Sequence, residues 1–342
     1  MALLSVQDLV TRFELRRGAF NVVDRLSLEI DEGETVGLVG ESGCGKSITL
    51  RSIIHALPAK AKITGGRITY AGRDVTRPSR RTLLRIRGRE IAMIFQDPLT
   101  ALNPVLTVGH QLLETLKQSK GLTGESARRR AVELLRLVGV PEPERRLHTY
   151  PHELSGGMAQ RVVIAIALVG EPRLLLADEP TTALDVTVQA QILQLLTDLQ
   201  AQFHMSILLV THDLGVVAQT CNRIYVMYAG RVVEEADALH IFEQPRHPYT
   251  VGLLGSVPRV DGAVSRGRLP SIPGAPPDLS DPPGGCRFNP RCPLKIDECL
   301  HSDVRLLPVN GAHWAACIRH NVVQRGAIAF EPVEQAGEAA SR

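Results

Sequence analysis

The sequence is poor in the features that define several functional classes. Aromatic residues make up only 4% of it, too few for a platform on which nucleobases stack. The formal net charge of +3 is too weak to indicate a nucleic-acid binder. No apolar run near the middle exceeds VVIAIALV (162–169), far short of the roughly 20 residues that span a membrane. The N-terminal MALLSVQDLVTRFE meets Asp8 and Arg12 too early for a secretion signal. The expectation is a cytoplasmic protein whose membrane role, if it has one, runs through partners. Cysteine is scarce, six in 342 residues, yet three fall within CRFNPRCPLKIDEC (286–299) and Cys317 follows. In a reducing compartment such a cluster more often binds metal or does redox work than forms structural disulfides.

What is present is ordinary for a globular chain: 44% hydrophobic and 22% charged residues. The length fits about two domains. LLSVQDLVTRF, RLSLEI and ETVGLVG read as strands, and KSITLRSIIHAL has helical spacing. Residues 67–96 return to strand-like segments. VGHQLLETL and ESARRRAVELLRLVGV, within 105–138, are helical. A helix at 157–169, the strand RLLLAD, a helix at 187–201, the strand SILLVTHD, a short helix and NRIYVMYAG complete the pattern. Strands alternating with helices predict an α/β core with a parallel sheet, interrupted by a helical region at 98–160. Residues 258–293 hold nine prolines and read as an extended connector, and the end of the chain as a frayed tail. The basic run RRTLLRIRGRE (80–90) reads as a solvated surface, with a face toward anionic lipid headgroups as the alternative. No internal repeat is visible.

GESGCGKS (40–47) fits G-x-x-x-x-G-K-[ST]. Gly43 and Gly45 let the backbone curl so that successive N–H groups face phosphate oxygens. A helix starting near Lys46 adds its positive end. Lys46 would reach the β- and γ-phosphates, and the Ser47 hydroxyl would bind Mg²⁺. The candidate phosphate-binding set is Gly40, Ser42, Gly43, Cys44, Gly45, Lys46, Ser47 and Ile48. LLLADEP (174–180) supplies Asp178 at a strand end, where Mg²⁺ would sit, and Glu179, placed to orient or deprotonate an attacking water. His212, in THD at the end of another strand, can face the same crevice. In LSGGMAQR (154–161), Ser155 can cap a helix while Gly156 and Gly157 leave its first N–H groups bare, which makes a second anion site. Two such sites in one chain point to a nucleotide held between two subunits.

GESGCGKS, FQDP, LSGGMAQR, LLLADEPTTALD and THD, in this order and spacing, resemble the ATP-binding cassette (ABC) ATPases over residues 3 to about 235. The resemblance implies a P-loop NTPase fold: a RecA-like sheet plus an antiparallel β part, with an inserted helical subdomain. It implies a core at 1–97 and 161–235, the insert at 98–160, and a Pro/Cys-rich extension at 236–330 followed by a tail at 331–342. Lys46, Ser47, Gln96 and Asp178 would organise MgATP, with Glu179 as catalytic base and His212 on the γ-phosphate. Ser155, Gly156, Gly157 and Gln160 would contact ATP held by the opposite subunit, and Asp185 would cross the dimer interface. Phe13, or alternatively Phe20, would stack on adenine. Cys44 stands where serine is common, which predicts sensitivity to oxidation or alkylation.

IFEQPRHPYTVGLLGSVP, IPGAPPDL and the cysteine stretch resemble the ATPase subunits of dipeptide and oligopeptide importers, a group with some nickel importers. That implies a subunit on the cytoplasmic face of the membrane with three kinds of partner: a second, related ATPase, two permeases and an external solute-binding protein. A nickel or other small-solute transporter is the alternative, and a soluble cassette ATPase acting on nucleic acid a more remote one. The spacing C-x5-C-x6-C-x17-C of Cys286, Cys292, Cys299 and Cys317 leaves an iron–sulfur cluster, zinc, and free or disulfide-linked thiols open. The resemblance turns the expectation toward [4Fe–4S], a metal staple for a segment with little apolar content of its own.

Overall fold

All five residues of TVGLV and of LLLAD are buried, as strands covered on both faces of a parallel sheet must be. The computed structural model describes residues 2–15, 18–256 and 271–324, with Ile328 and Phe330. It opens with strands β1 (Ala2–Leu15), β2 (Gly18–Asp31) and β3 (Thr35–Val39), helix α1 (Lys46–Ile53), β4 (Ala61–Tyr70), β5 (Arg73–Asp74), helix α2 (Arg80–Ile86) and β6 (Ile91–Ile94). Helices α3 (Pro98–Ala101), α4 (Val108–Lys120), α5 (Gly124–Leu137), α6 (Pro143–Arg146) and α7 (Gly156–Leu168) follow without a strand between them. The alternation resumes with β7 (Leu174–Asp178), α8 (Val186–Phe203), β8 (Ser206–Thr211), α9 (Leu214–Thr220), β9 (Arg223–Tyr228) and β10 (Arg231–Asp237). Last come α10 (Ala238–Glu243), α11 (Pro248–Gly255), α12 (Glu298–His301), β11 (Leu307–Asn310) and β12 (His313–Ala315).

The strands form two sheets, an antiparallel one ordered β2-β1-β4-β5 and a larger one ordered β11-β12-β10-β9-β3-β8-β7-β6. In the larger sheet β3 runs parallel to β8 and β9, and β7 parallel to β6 and β8. Successive side chains of a strand point to opposite faces, and the core divides accordingly. Leu174, Leu176, Leu208, Val210, Tyr225 and Met227 face one cluster, shared with the antiparallel sheet through Leu4, Val6 and Leu28. Leu175, Ala177, Ile207, Leu209, Ile224 and Val226 face the other, shared with Leu112, Leu134 and Val162 of the helical stretch. The stretches after β3, β7 and β8 therefore leave the same edge of the sheet, the carboxyl ends of its parallel strands, where open α/β sheets bind ligands.

Two readings change. RRTLLRI is helix α2, started by Ser79, whose side chain accepts the Thr82 N–H; its basic residues hid the helical period. The proline-rich stretch is better ordered than its composition predicts. A short 3₁₀ turn at Asn289–Arg291 follows the fully buried Phe288, and β12 adds to β10 at the edge of the main sheet. Residues 257–270 of the connector and the tail at 331–342 lie outside the described residues.

Candidate nucleotide site

Gly45 is the N-cap of α1 at φ +111, a left-handed conformation that favours glycine, and a Cβ there would meet Val22 O at 2.7 Å. The Cβ of any residue replacing Gly40 would meet Met227 O at 2.1 Å. The loop is thus pressed against β2 and β9, and its amides run into the start of α1. Lys46 is buried at 5% exposure. Its Nζ donates to the carbonyls of Gly40 at 2.7 Å and Glu41 at 3.0 Å, so the ammonium is curled over its own loop. Ser47 Oγ donates to Asp178 Oδ1 at 2.8 Å, which joins the two Mg²⁺-ligand candidates directly. Asp178 is 1% exposed. Burial pushes its carboxyl above the ordinary range, against the opposing effects of the Ser47 hydrogen bond, Arg51 and Lys46.

Glu179 follows Asp178 with φ 45, an uncommon left-handed backbone for a non-glycine residue. Its amide donates to Val210 O at 2.9 Å, which ties the turn to β8. Three groups converge on Glu179 Oε2. Gln96 Nε2 donates at 3.1 Å, Thr182 Oγ1 donates at 2.9 Å, and His212 Nδ1 lies at 3.4 Å. Gln96, Asp178, Glu179, His212, Lys46 and Ser47 are thereby brought into one neighbourhood. Thr182 was not among the sequence candidates. Its signal was its place three residues after Glu179, but its reach depends on the backbone turn at Glu179.

Ser155 caps α7 by accepting the Met158 N–H at 3.3 Å. Asp185 caps α8 by accepting the Val188 N–H at 2.9 Å. The two caps are neighbours, for a Cβ on Gly156 would touch Leu184 and one on Gly157 would meet Val188. Among the described residues no hydrogen bond joins either cap to the phosphate loop. Gln160 is 1% exposed and its Nε2 has no partner. Phe13 and Phe20 are cross-strand partners in β1 and β2, with rings stacked 6.2 Å apart and 21° from parallel. The two candidates for the adenine therefore form one double-ring surface. Cys44 is buried, and burial pushes its thiol up, which works against the thiolate that oxidation and alkylation require.

The iron–sulfur expectation is overturned. Cys286, Cys292, Cys299 and Cys317 border one small cavity of about 20 Å³ with Phe288 and Leu294, room for roughly one water. Among the described residues no group of three or more His, Cys, Asp or Glu is arranged to hold a metal ion. The same finding leaves zinc without a set of ligands among the described residues. Burial pushes the Cys292 thiol up to about 11 and the Cys317 thiol up to about 12. The premise also fails, because the segment finds apolar surface elsewhere. Phe288 is buried in the main core, and Cys286, Cys292 and Cys317 pack against it.

The ABC transporter family pattern matches residues 23–182, and that of the oligopeptide/dipeptide transporter C-terminal region matches residues 233–299. The chain is 52% identical over 297 residues to the dipeptide transport ATP-binding protein DppD of Bacillus subtilis (strain 168), covering 86% of this chain and 88% of the relative. It is 48% identical over 317 residues to DppD of Escherichia coli (strain K12), covering 93% and 96%. Among solved structures, a dimer of the ATP-binding cassette MJ0796 in a post-hydrolysis state with ADP and Pi superposes with a TM-score of 0.62 at 31% identity, over 69% of this chain and 98% of that one. The phosphate loop, the Ser47–Asp178 pair and the clustered Glu179 contacts thus have their explanation: the chain is an ATPase that belongs to the ABC transporter family, with the C-terminal region of the oligopeptide/dipeptide transporters.

Proposed function

We propose that this subunit powers the import of dipeptides and oligopeptides through a pair of membrane permeases fed by an external solute-binding protein. The observation that carries the catalytic half is the set of three groups on Glu179 Oε2, beside the Ser47–Asp178 pair. Glu179 is the general base, held in place by Thr182. Gln96 and His212 sense the γ-phosphate, since both already lie against the base. Ser47, Asp178 and Gln96 would hold Mg²⁺, which supplies charge neutralisation at the phosphate oxygens. Lys46 leaves the carbonyls of Gly40 and Glu41 to engage the β- and γ-phosphates, and the loop amides of Gly43 to Ile48 cradle them. Phe13 supports the adenine, backed by Phe20.

Ser155, Gly156, Gly157 and Gln160 serve the nucleotide of a second, related ATPase chain, with Asp185 at the shared interface. Support comes from the exposed Ser155 and Gly156 at the start of α7 and from the lack, among the described residues, of a hydrogen bond from either cap to this chain's own phosphate loop. ATP then favours the closed pair because its γ-phosphate bonds both halves only when they meet, and hydrolysis releases them. The functional units are 1–97 with 161–235 for nucleotide, 98–160 for the permease, and 236–330 as the extension. Leu99 and Val105, 48% and 76% exposed in the stretch that follows Gln96, suit a permease contact. No helix among the described residues is long and apolar enough to cross a membrane; the permeases would hold this subunit at the cytoplasmic face. The relatives' names favour peptides over nickel.

The test is reconstitution. The chain, its partner ATPase and the permeases are placed in proteoliposomes with the binding protein, and ATP-dependent uptake of labelled dipeptides is compared with Ni²⁺ uptake. Peptide uptake that Glu179→Gln lowers by about 10²–10⁴-fold with ATP binding retained supports the reading. Near-normal hydrolysis by that variant removes Glu179 as the base, and Ni²⁺ uptake without peptide uptake removes the substrate class.

A further inference from the structure

Glu41, the second residue of the phosphate loop, is held from three sides. Its carboxylate pairs with the Arg291 guanidinium through two hydrogen bonds, Nη1 to Oε2 at 2.7 Å and Nη2 to Oε1 at 2.9 Å. Its amide donates to the Tyr249 hydroxyl at 2.8 Å. Its carbonyl accepts from Lys46 Nζ at 3.0 Å. The first two grips come from the C-terminal extension, and the third from the lysine that must turn toward phosphate.

Arg291 is not a surface residue that happens to reach this carboxylate. Its side chain is 6% exposed. Nε donates to Pro273 O at 2.9 Å, Nη2 also to Ile272 O at 3.4 Å, and Nη1 also to the Tyr228 hydroxyl at 3.4 Å. The guanidinium therefore uses its planar fork on several partners at once, which a lysine could not do. It sits in the turn between Cys286 and Cys292, beside Phe288, and Phe288 packs on both Tyr228 and Tyr249. Extension and phosphate loop are one packed unit.

We propose that Arg291 is a positioning residue through which the C-terminal extension sets the affinity of the phosphate loop for ATP. Two effects act together. An unpaired Glu41 carboxylate at the mouth of a triphosphate site repels the ligand, and Arg291 offsets that charge. The paired side chain and the Tyr249 contact also fix the Glu41 peptide, so the loop amides stay aimed at phosphate when Lys46 lets go of the backbone. Order in the turn at residues 286–292 and occupancy of the ATP site are then linked, and linkage is reciprocal.

The experiment uses the full chain, with Kd from a fluorescent ATP analogue, melting temperature in parallel, and kcat in the assembled transporter. It rests on ATP binding at this loop, which the wild-type titration checks separately. Arg291→Met weakens ATP binding by about tenfold with kcat at saturating ATP unchanged, a size usual for coupling between sites. Arg291→Lys falls between, and Glu41→Gln combined with Arg291→Met regains most of the affinity, because no carboxylate is left unpaired. A purely structural role predicts instead a lower melting temperature with kcat falling alongside affinity, and no relief from Glu41→Gln; that result overturns the proposal. So does wild-type affinity in Arg291→Met. In the wild-type chain, a non-hydrolysable MgATP analogue slows amide hydrogen exchange at residues 286–292. Unchanged exchange there also overturns it.

Discussion

Thr182 Oγ1 donates a 2.9 Å hydrogen bond to Glu179 Oε2, across the turn set by the left-handed backbone of Glu179. The hydroxyl fixes which way the carboxylate points before any nucleotide arrives. Thr182→Val keeps the shape and removes the donor. We expect kcat to fall by about tenfold to a hundredfold, as for a misplaced catalytic group, with ATP affinity unchanged. Thr182→Ser should restore most of the rate. Steady-state ATP turnover in the assembled transporter checks this, and equal kcat for the valine variant counts against the role.

Asp178 shows the opposite side of site design, a group that costs stability where it is needed. Burial holds its carboxyl above the ordinary 3.8. Between 3.8 and that raised value the folded chain keeps a proton that the unfolded chain has lost. Stability from this group is therefore present at low pH, falls as pH rises through the folded value, and stays lower at neutral pH. Asp178→Asn should raise the melting temperature of the nucleotide-free chain at pH 7 and abolish Mg²⁺-dependent turnover. The gain should vanish below 3.8, where the carboxyl is neutral in both states. A lower melting temperature at pH 7 contradicts this account.

The grouping of these side chains is legible because they stand in short contiguous runs. GESGCGKS places Lys46 and Ser47 within one loop, and LLLADEP places Asp178 at a strand end. The parallel sheet was legible for the same reason, since LLLAD and TVGLV are buried on both faces. What remained hidden depends on distant partners or on backbone angles. Nothing local in GESGCGKS says that Glu41 meets Arg291, 250 residues away. Nothing in DEPTT states that Glu179 turns left-handed so that Thr182 can reach back. The cysteine cluster misled because the apolar partners of its segment, Tyr228 and Tyr249 against Phe288, lie earlier in the chain.

The stacked Phe13 and Phe20 rings make separate predictions for two residues that the sequence could not tell apart. If Phe13 carries the adenine and Phe20 backs it, Phe13→Ala removes a base-stacking contact worth about 1–3 kcal/mol. KM for ATP should then rise by about tenfold with kcat nearly unchanged, and Phe13→Tyr should behave as wild type. Phe20→Ala should have a smaller effect. A larger KM increase for Phe20→Ala would exchange the two roles.

The extension offers a direct contrast between a metal staple and a packed one. Phe288 is 1% exposed and makes ring contacts with Tyr228, Tyr249 and His247 at centroid distances of 5.2, 5.5 and 5.8 Å. Arg287, next to Phe288, pairs with Asp24 of β2, which anchors the same segment; Arg231 of β10 pairs with the same carboxylate. An arrangement of this kind is ordered by buried area and ion pairing, so it does not need a cation. Phe288→Ala should lower stability by about 3–5 kcal/mol, the usual cost of truncating a buried aromatic. It should also open residues 286–301 to limited proteolysis before the nucleotide core is cut. Prolonged treatment of the wild-type chain with a strong chelator should change neither the melting temperature nor the cleavage pattern. Loss of protection at 286–301 on chelation alone, with Phe288 in place, is the result that would defeat this explanation of the fold.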